Sequence, residues 1–268
     1  MLVSVAVISC SEPTTGQRST SSTPESTAST TSTEMGLSPS TTSQPTLTTS
    51  SVTPSTNVLV FHRTEGFRHD SIEAGIDAVV ALGGYQVTAT DDPAIFTSAG
   101  LEPFAVVVFL NTTGDVLHEP EQRALEDFIV SGRGFVGVHS AADTEYDWDW
   151  YGGLVGAYFD SHPDPQTATV QMTASHPVLE GLPDEMERFD EWYDFRAPPG
   201  GNVTVLAVVD ESTYEGGAMG SSHPIVWAHE YEGGRAVYVG FGHTAESFEE
   251  PTVLALLDNA IRWAGSLD

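Results

Sequence analysis

The chain has 268 residues, with 38 acidic residues against 9 basic ones, all of them arginine, for a net charge of −29. Nucleic-acid binding relies on cationic side chains that release counterions from phosphates, and anionic membrane surfaces repel an acidic protein, so this composition argues against both partners. The single cysteine, Cys10, excludes an intrachain disulfide and leaves the rest of the chain without a thiol nucleophile.

The composition divides the chain near residue 56. All 5 Trp, 8 Tyr and 12 Phe lie at or beyond Phe61, whereas 28 of the 46 residues from Ser11 to Thr56 are Ser or Thr. A segment without aromatic side chains buries too little apolar surface to offset its ordering entropy. We therefore predict a disordered Ser/Thr-rich linker over 11–56 and one folded domain over 57–268.

The first ten residues form a short apolar run that ends at Cys10. Val7-Ile8-Ser9-Cys10 resembles the bacterial lipobox, in which the cysteine is lipidated. The resemblance implies a lipoprotein-type signal segment over 1–10 and an extracytoplasmic domain that is tethered to the cell membrane through a lipid on Cys10, or secreted. The alternative is an unprocessed tail on a cytosolic protein.

Apolar runs and turn residues predict alternating strands and helices in the first half of the domain and mainly strands in the second. Three helices are expected: one begins at a capping box formed by Asp70 and Glu73, one has Pro120 in its first turn, and the last begins at Pro251. This order predicts an α/β fold with a doubly wound, mostly parallel sheet. The predicted strands are Asn57–Phe61, Tyr85–Ala89, Ala105–Leu110, Gly134–Val138, Thr167–Met172, Val203–Val209, Pro224–His229 and Arg235–Phe241.

Polar side chains follow several of these strands. In open α/β sheets ligands bind outside the carboxyl ends of the strands, so these side chains are expected to converge on one site. The candidates are His69 after the first strand, Asn111 after the third, His139 and Asp143 after the fourth, and His243 after the last.

The stretch Gly137-Val138-His139-Ser140-Ala141 has the form of a strand, a tight turn and a helix, with His139 at the apex of the turn. A histidine there can act as a general base or a metal ligand, but it is not the usual nucleophile for acyl transfer. Ser140 is expected to point elsewhere, which argues against a serine hydrolase. We expect the His139 side chain to project, partly exposed, into the crevice.

A series of short motifs in the domain resembles the ThuA-like (trehalose-utilisation) family. The resemblance covers about 57–265 and implies a flavodoxin-like, class I glutamine amidotransferase-like fold that lacks the amidotransferase cysteine. It also implies a role in the metabolism of trehalose or other sugars through 3-keto-glycosides. The motifs are Phe67-Arg68-His69-Asp70-Ser71, Gly134–Ala141, Phe159-Asp160-Ser161-His162-Pro163, Ser175-His176-Pro177, Asp190-Glu191-Trp192-Tyr193 and Gly242-His243-Thr244.

The resemblance also implies a polar pocket, which adds His162 and Glu191 to the strand-end histidines. We assign catalytic roles to His139, His69, Glu191 and His243, and substrate-binding roles to Trp148, Asp143, His162 and Asn111. Trp148 is included because it lies near the pocket in the family pattern and Trp rings stack on sugars, although a Trp in the core is an equal alternative.

Two functions of different class fit these residues. An enzyme (a lyase, isomerase or hydrolase) would act on a sugar or keto-sugar, and a divalent metal ion on several of His69, His139, His162 and His243 would polarise a carbonyl group. A non-catalytic sugar-binding module would use the same pocket without proton transfer. The number of histidines favours the enzyme. The sequence identifies neither the glycoside nor the oligomeric state.

Overall fold

The computed structural model describes residues 56–267. The predicted signal segment, Cys10 and all of the predicted linker except Thr56 lie outside the described residues. No helix within 56–267 is long and apolar enough to cross a bilayer.

The described chain alternates strands and helices up to β4 and is mainly strands from there to the last helix. The strands are β1 (Thr56–Phe61), β2 (Tyr85–Thr90), β3 (Val106–Leu110), β4 (Gly134–Val138), β5 (Phe159–Ser161), β6 (Gln166–Met172), β7 (Glu185–Asp190), β8 (Asp194–Phe195), β9 (Thr204–Val209), β10 (His223–Tyr231) and β11 (Gly234–Val239). The helices are α1 (Ile72–Ala81), α2 (Ser98–Leu101), α3 (Glu119–Val130), α4 (Asp149–Val155) and α5 (Pro251–Ala264).

Nine of the strands in residues 56–267 form one sheet in the order β2-β1-β3-β4-β11-β10-β9-β6-β7, while β5 pairs with β8 alone. The five strands from β2 to β11 are joined by parallel pairings, and the remaining four pairings are antiparallel. The fold is therefore mixed α/β as predicted, but the expectation of a mostly parallel sheet is wrong for the second half. Four successive antiparallel pairings turn β7 back to the direction of β11, so these two strands end at the same edge.

Apolar residues cover both faces of the sheet. Helices α1 and α5 pack on one face through residues such as Val79 and Leu256, and α3 and α4 pack on the other through Leu125 and Leu154. The edge strand β2 has exposed residues, whereas the inner strands β3 and β4 are buried on both faces and have none. This explains their continuous apolar sequences.

The predicted capping box at Asp70 and Glu73 is wrong. Ser71 is the N-terminal cap residue of α1, and its side chain caps no backbone N–H there. Its hydroxyl instead donates to the carbonyl of Gly242 at 2.7 Å, and Glu73 pairs with Arg68. The start of α1 is thus held by contact with the loop after β11.

One buried carboxylate, that of Asp190 at the end of β7, organises two strand ends. Its Oδ1 accepts the backbone N–H groups of Glu191 and His243, each at 3.0 Å, and its Oδ2 accepts the N–H of Gly242 at 3.1 Å. Gly242 and His243 follow β11, and three strands lie between β11 and β7 in the sheet. Asp190 therefore fixes the positions of Glu191 and His243 relative to each other.

The charge of Asp190 is balanced by Arg188, whose guanidinium is also buried. Nη2 of Arg188 lies 2.9 Å from Oδ2 of Asp190 and 2.8 Å from the Ser247 hydroxyl, and Nη1 lies 3.3 Å from Glu250. The guanidinium also lies over the Phe241 ring, 4.3 Å from its centre. These contacts replace the water that both charges lose on burial.

We predict that Asp190→Asn lowers the free energy of unfolding by about 3–5 kcal/mol. The NH2 group of the new amide would face N–H donors that now bind the carboxylate, and Arg188 would lose its buried anionic partner. Glu250→Gln is the matched control: Glu250 is the other carboxylate on Arg188, but its side chain is 40% exposed. This change should cost less than about 1 kcal/mol. Urea denaturation measures both values, and equal costs for the two variants would contradict the role assigned to Asp190.

Candidate functional site

Four of the predicted site residues, His69, His139, Glu191 and His243, converge at the carboxyl edge of the sheet. One ligand atom from each lies within 4.8 Å of the others. Nε2 of His139 is 3.2 Å from Nε2 of His69 and 3.4 Å from Oε2 of Glu191, and Nδ1 of His243 is 3.2 Å from the same carboxylate oxygen. We call these four residues the histidine–glutamate cluster. All but His243 are buried.

His139 is held at the apex of the turn after β4. Its backbone has a φ of 47°, in the left-handed region that a non-glycine residue adopts only where the surroundings hold it there. Nδ1–H donates to the carbonyl of Gly240 at 3.1 Å, and the Tyr238 hydroxyl donates to the His139 carbonyl at 2.8 Å. Nε2 therefore carries the lone pair, and it faces the cluster. The expectation that His139 is partly exposed is wrong, because its side chain is completely buried.

Ser140 also faces the cluster, contrary to prediction. Its hydroxyl lies 3.3 Å from Nδ1 of His69. In this arrangement the hydroxyl donates to this nitrogen while Nε2–H of His69 donates to His139. The other tautomer of His69, which donates from Nδ1 to Ser140, leaves Nε2 free to bind a cation. Ser140 thus orients His69.

Glu191 is ionised at the centre of the cluster. Burial alone would raise the pKa of this carboxyl group, but the close contacts with the imidazoles of His139, His243 and His69 outweigh burial and hold the pKa well below its usual range. The contact with Glu191 also raises the pKa of His243. Burial lowers the pKa of His69 to about 4, so His69 is neutral at physiological pH.

The cluster has the chemistry and the spacing of a divalent metal site. Neutral imidazole nitrogens and one carboxylate oxygen suit zinc and similar ions. For metal–ligand bonds of 2.0–2.1 Å, the ligands of a tetrahedral site lie roughly 3.3 Å apart. Three contacts within the cluster measure 3.2–3.4 Å, and all four ligand atoms lie within 4.8 Å of one another. The Gly240 carbonyl on His139 and the Ser140 hydroxyl on His69 are the outer partners that metal-binding histidines usually have.

His162 and Asp143 lie beside the cluster. Nδ1 of His162 is 3.1 Å from Oε1 of Glu191 and 2.9 Å from the Pro163 carbonyl, so in the neutral ring the proton sits on Nδ1 and Nε2 carries the lone pair. His162 is not one of the four grouped ligands, in contrast to its place among the predicted metal candidates. Burial raises the pKa of Asp143, although the Tyr146 hydroxyl, which donates to it at 2.6 Å, acts in the opposite direction.

Two predicted substrate-binding residues, Trp148 and Asn111, make other contacts in the structure. Trp148 stacks on Trp150, with ring centres 5.1 Å apart, and on Tyr151, and its indole N–H donates to Glu126. This aromatic group belongs to the packing of α4. The buried Asn111 amide donates to the Ser71 hydroxyl and the Gly242 carbonyl, each at 2.9 Å, so it joins two loops that carry cluster residues.

Sequence reasoning did not select Tyr193, although the motif with Glu191 contains it. Its ring centre lies 4.3 Å from that of His139 and 5.8 Å from that of His162. Tyr193 is buried, and it forms an apolar wall beside the two imidazoles. Its carbonyl accepts a hydrogen bond from Nε2 of His223 at 2.8 Å, which fixes this wall from behind.

His223 belongs to a second acidic group with Glu211 and Asp194. Oε1 of Glu211 accepts backbone N–H groups from Met219 and Gly220, and Asp194 accepts the N–H of Ala218. Backbone donors thus already occupy these carboxylates. This group holds the loop over 218–220 in place.

We predict that His69 in the metal-free protein takes up its proton only near pH 4. The unfolded chain protonates this residue near pH 6.5, so between these values protons favour the unfolded state, and the His69 contribution to stability falls as the pH is lowered. His243 has the opposite shift, so its contribution is present below pH 6.5 and is lost as the pH rises through its raised pKa. NMR titration of the ring protons, assigned with His69→Gln, measures both. A His69 resonance that titrates near 6.5 would contradict this environment.

The amino-acid sequence matches the model of a known protein family. The family model for ThuA, described as trehalose utilisation, matches residues 57–264, which include the whole cluster. A search of the curated proteins gave no match.

Solved structures share the fold. A ThuA-like protein from Bacteroides uniformis superposes with a TM-score of 0.67 at 24% identity, covering 79% of this chain and 91% of that chain. A ThuA-like protein from Parabacteroides merdae gives 0.66 at 18% identity, with coverage of 79% and 90%. A β-galactosidase from Rahnella sp. R3 gives 0.50 at 16% identity, with coverage of 80% of this chain and 31% of the enzyme. Since the family model matches well over half of its residues, the chain belongs to the ThuA family of trehalose-utilisation proteins.

Proposed function

We propose that the domain is an enzyme of trehalose or related glycoside utilisation, that it acts on an oxidised sugar such as a 3-keto-glycoside, and that the histidine–glutamate cluster binds a divalent metal ion. The observation that carries the proposal is the convergence of three imidazoles on one buried, ionised carboxylate. Family membership supports the substrate class.

The position of the cluster supports a ligand site. We infer that the parallel half of the sheet is a flavodoxin-like unit, because β2-β1-β3-β4-β11 reproduces the 2-1-3-4-5 strand order of that fold. In such sheets ligands bind at the carboxyl edge, where His69, His139 and His243 lie.

The chemistry that fits these residues begins at a sugar carbonyl. A cation in the cluster would polarise the carbonyl and stabilise negative charge on its oxygen. His162, through the lone pair on its Nε2, accepts the proton from the carbon between the carbonyl and the anomeric carbon. The released electron pair forms a carbon–carbon double bond as the bond from the anomeric carbon to the glycosidic oxygen breaks. The products are an unsaturated keto-sugar and a free alcohol.

Asp143 is suited to protonate the departing oxygen in this elimination. Its raised pKa favours the protonated form, whereas Glu191 stays ionised. Carboxyl groups whose environments separate their pKa values in this way commonly divide the acid role from the charged role. Asp143 interacts electrostatically with both His139 and His162, and this interaction supports its assignment to the same site.

The competing hypothesis is a sugar-binding module without turnover. Such a module needs polar groups and an aromatic wall, which the site contains. It does not need a buried carboxylate that three histidines keep ionised, because burying such a charge is costly unless it is paired. The cluster therefore favours the enzyme.

We predict that Glu191→Gln loses bound metal and lowers turnover of 3-keto-trehalose by roughly 10²- to 10⁴-fold, because the amide removes the anionic ligand. Glu187→Gln, an exposed change on β7, should leave both unchanged. Elemental analysis and product assays on the same preparations measure the two effects. Depletion of free trehalose or 3-keto-trehalose without product would support the module, and full activity of Glu191→Gln would overturn the assigned site.

We also propose that the protein is tethered to the cell surface through a lipid on Cys10. The support is Val7-Ile8-Ser9-Cys10, followed by a segment rich in Ser and Thr. Cys10→Ala should move the protein from the membrane fraction to the soluble or secreted fraction, whereas Ser22→Ala should not. Membrane association of the Cys10→Ala protein would refute the anchor.

A further inference from the structure

Phe67 is an exposed aromatic side chain at the margin of the cluster. Its side chain is 66% exposed, the highest value among the exposed large apolar side chains of residues 56–267. Its ring centre lies 4.9 Å from that of His69, and the two rings are nearly perpendicular at 82°. The exposed ring thus adjoins a residue of the proposed metal site.

The backbone that carries Phe67 is fixed although the side chain is not packed. The Thr113 hydroxyl donates to the Phe67 carbonyl at 2.8 Å and accepts the N–H of Gly66 at 3.2 Å. The N–H of Glu65 donates to the Thr113 carbonyl at 2.8 Å. Holding an aromatic residue in place without burying it gains little stability in the free protein, so a bound ligand is the natural partner of the ring.

The surroundings specify the ligand chemistry. The proposed acid–base groups Asp143 and His162 supply polar partners near the cluster, and the aromatic face supplies an apolar one. A pyranose ring matches both, since its C–H face packs on aromatic rings and its hydroxyl edge forms hydrogen bonds.

The charges next to Phe67 favour a neutral sugar. Arg63 pairs with Glu65 and Arg68 pairs with Glu73, so the two arginines of this loop already have carboxylate partners. The chain as a whole carries a net charge of −29, which repels anionic ligands.

From this geometry we propose that Phe67 is a substrate-binding residue that determines specificity: its ring packs on the C–H face of a neutral pyranose whose polar edge reaches the histidine–glutamate cluster. The inference rests on the proposed function and deepens it, because it selects uncharged glycosides over sugar phosphates. It also gives Phe67 the stacking role that the sequence assigned to Trp148.

The test compares Phe67→Ala, Phe67→Trp and Phe189→Ala. Phe189 is the matched control, because it is also exposed, at 49%, but lies on the edge strand β7. Phe67→Ala should raise the KM for 3-keto-trehalose and the Kd for trehalose by roughly 2- to 10-fold, the effect of losing one aromatic contact. It should leave kcat and metal content near the wild-type values. Phe67→Trp should retain tight binding, Phe189→Ala should behave as wild type, and trehalose 6-phosphate should bind more weakly than trehalose.

The outcomes separate this inference from the proposed function. Wild-type protein that binds trehalose but turns over no substrate ends the enzyme proposal, while weaker binding by Phe67→Ala still supports the stacking role. Equal binding by Phe67→Ala and wild type, or equal affinity for trehalose and its phosphate, overturns the inference even if the enzyme is active. Wild-type protein that binds neither trehalose nor 3-keto-trehalose overturns both this inference and the proposed function.

Discussion

The buried carboxylate of Asp190 is the interaction on which the geometry of the site depends. Its oxygens accept hydrogen bonds from the backbone of Glu191, Gly242 and His243, and Arg188 neutralises its charge. A carboxylate excluded from water is stable only when such partners replace its hydration. The requirement to satisfy one charge therefore fixes the ends of two distant strands and brings Glu191 against His243.

The cluster that results has a defined distribution of charge. Close contacts with histidines keep Glu191 ionised, while burial keeps His69 neutral and raises the pKa of Asp143. Separate protonation states within a few ångströms are what a site needs to hold a cation and move a proton at the same pH. Phe67 and Tyr193 add an exposed and a buried aromatic surface beside these groups.

The sequence predicted the parallel half of the fold well because most of its strands are short, continuous apolar runs between clear helix signals, although β2 (Tyr85–Thr90) contains polar residues. The same rule located His69, His139 and His243, since each follows a parallel strand. It could not locate Glu191, because β7 (Glu185–Asp190) is an edge strand whose charged residues hide its strand pattern. Only the motif resemblance pointed to Glu191 and His162. β7 runs in the same direction as β11 because four successive antiparallel pairings connect the two strands in the sheet. The sequence does not reveal this direction.

Two other predicted site residues make contacts that the sequence did not reveal. Trp148 is close in sequence to Asp143, but the packing of α4 places its ring against Trp150 and Tyr151. Asn111 follows β3 as predicted, yet its amide is used by Ser71 and Gly242, whose arrangement depends on the loop after β11. A one-dimensional pattern shows which residues reach the edge of the sheet, but the hydrogen bonds between loops decide which of them remain free for a ligand.

The most direct measurement of the central claim is X-ray absorption spectroscopy of the protein loaded with one equivalent of zinc. The cluster predicts a first shell of nitrogen and oxygen ligands at roughly 2.0–2.1 Å, with the outer-shell scattering of several imidazole rings. The imidazole signal should fall in His139→Ala. A zinc ion coordinated by oxygen alone, or a spectrum that is unchanged in His139→Ala, would contradict the assignment of the histidine–glutamate cluster as the metal site.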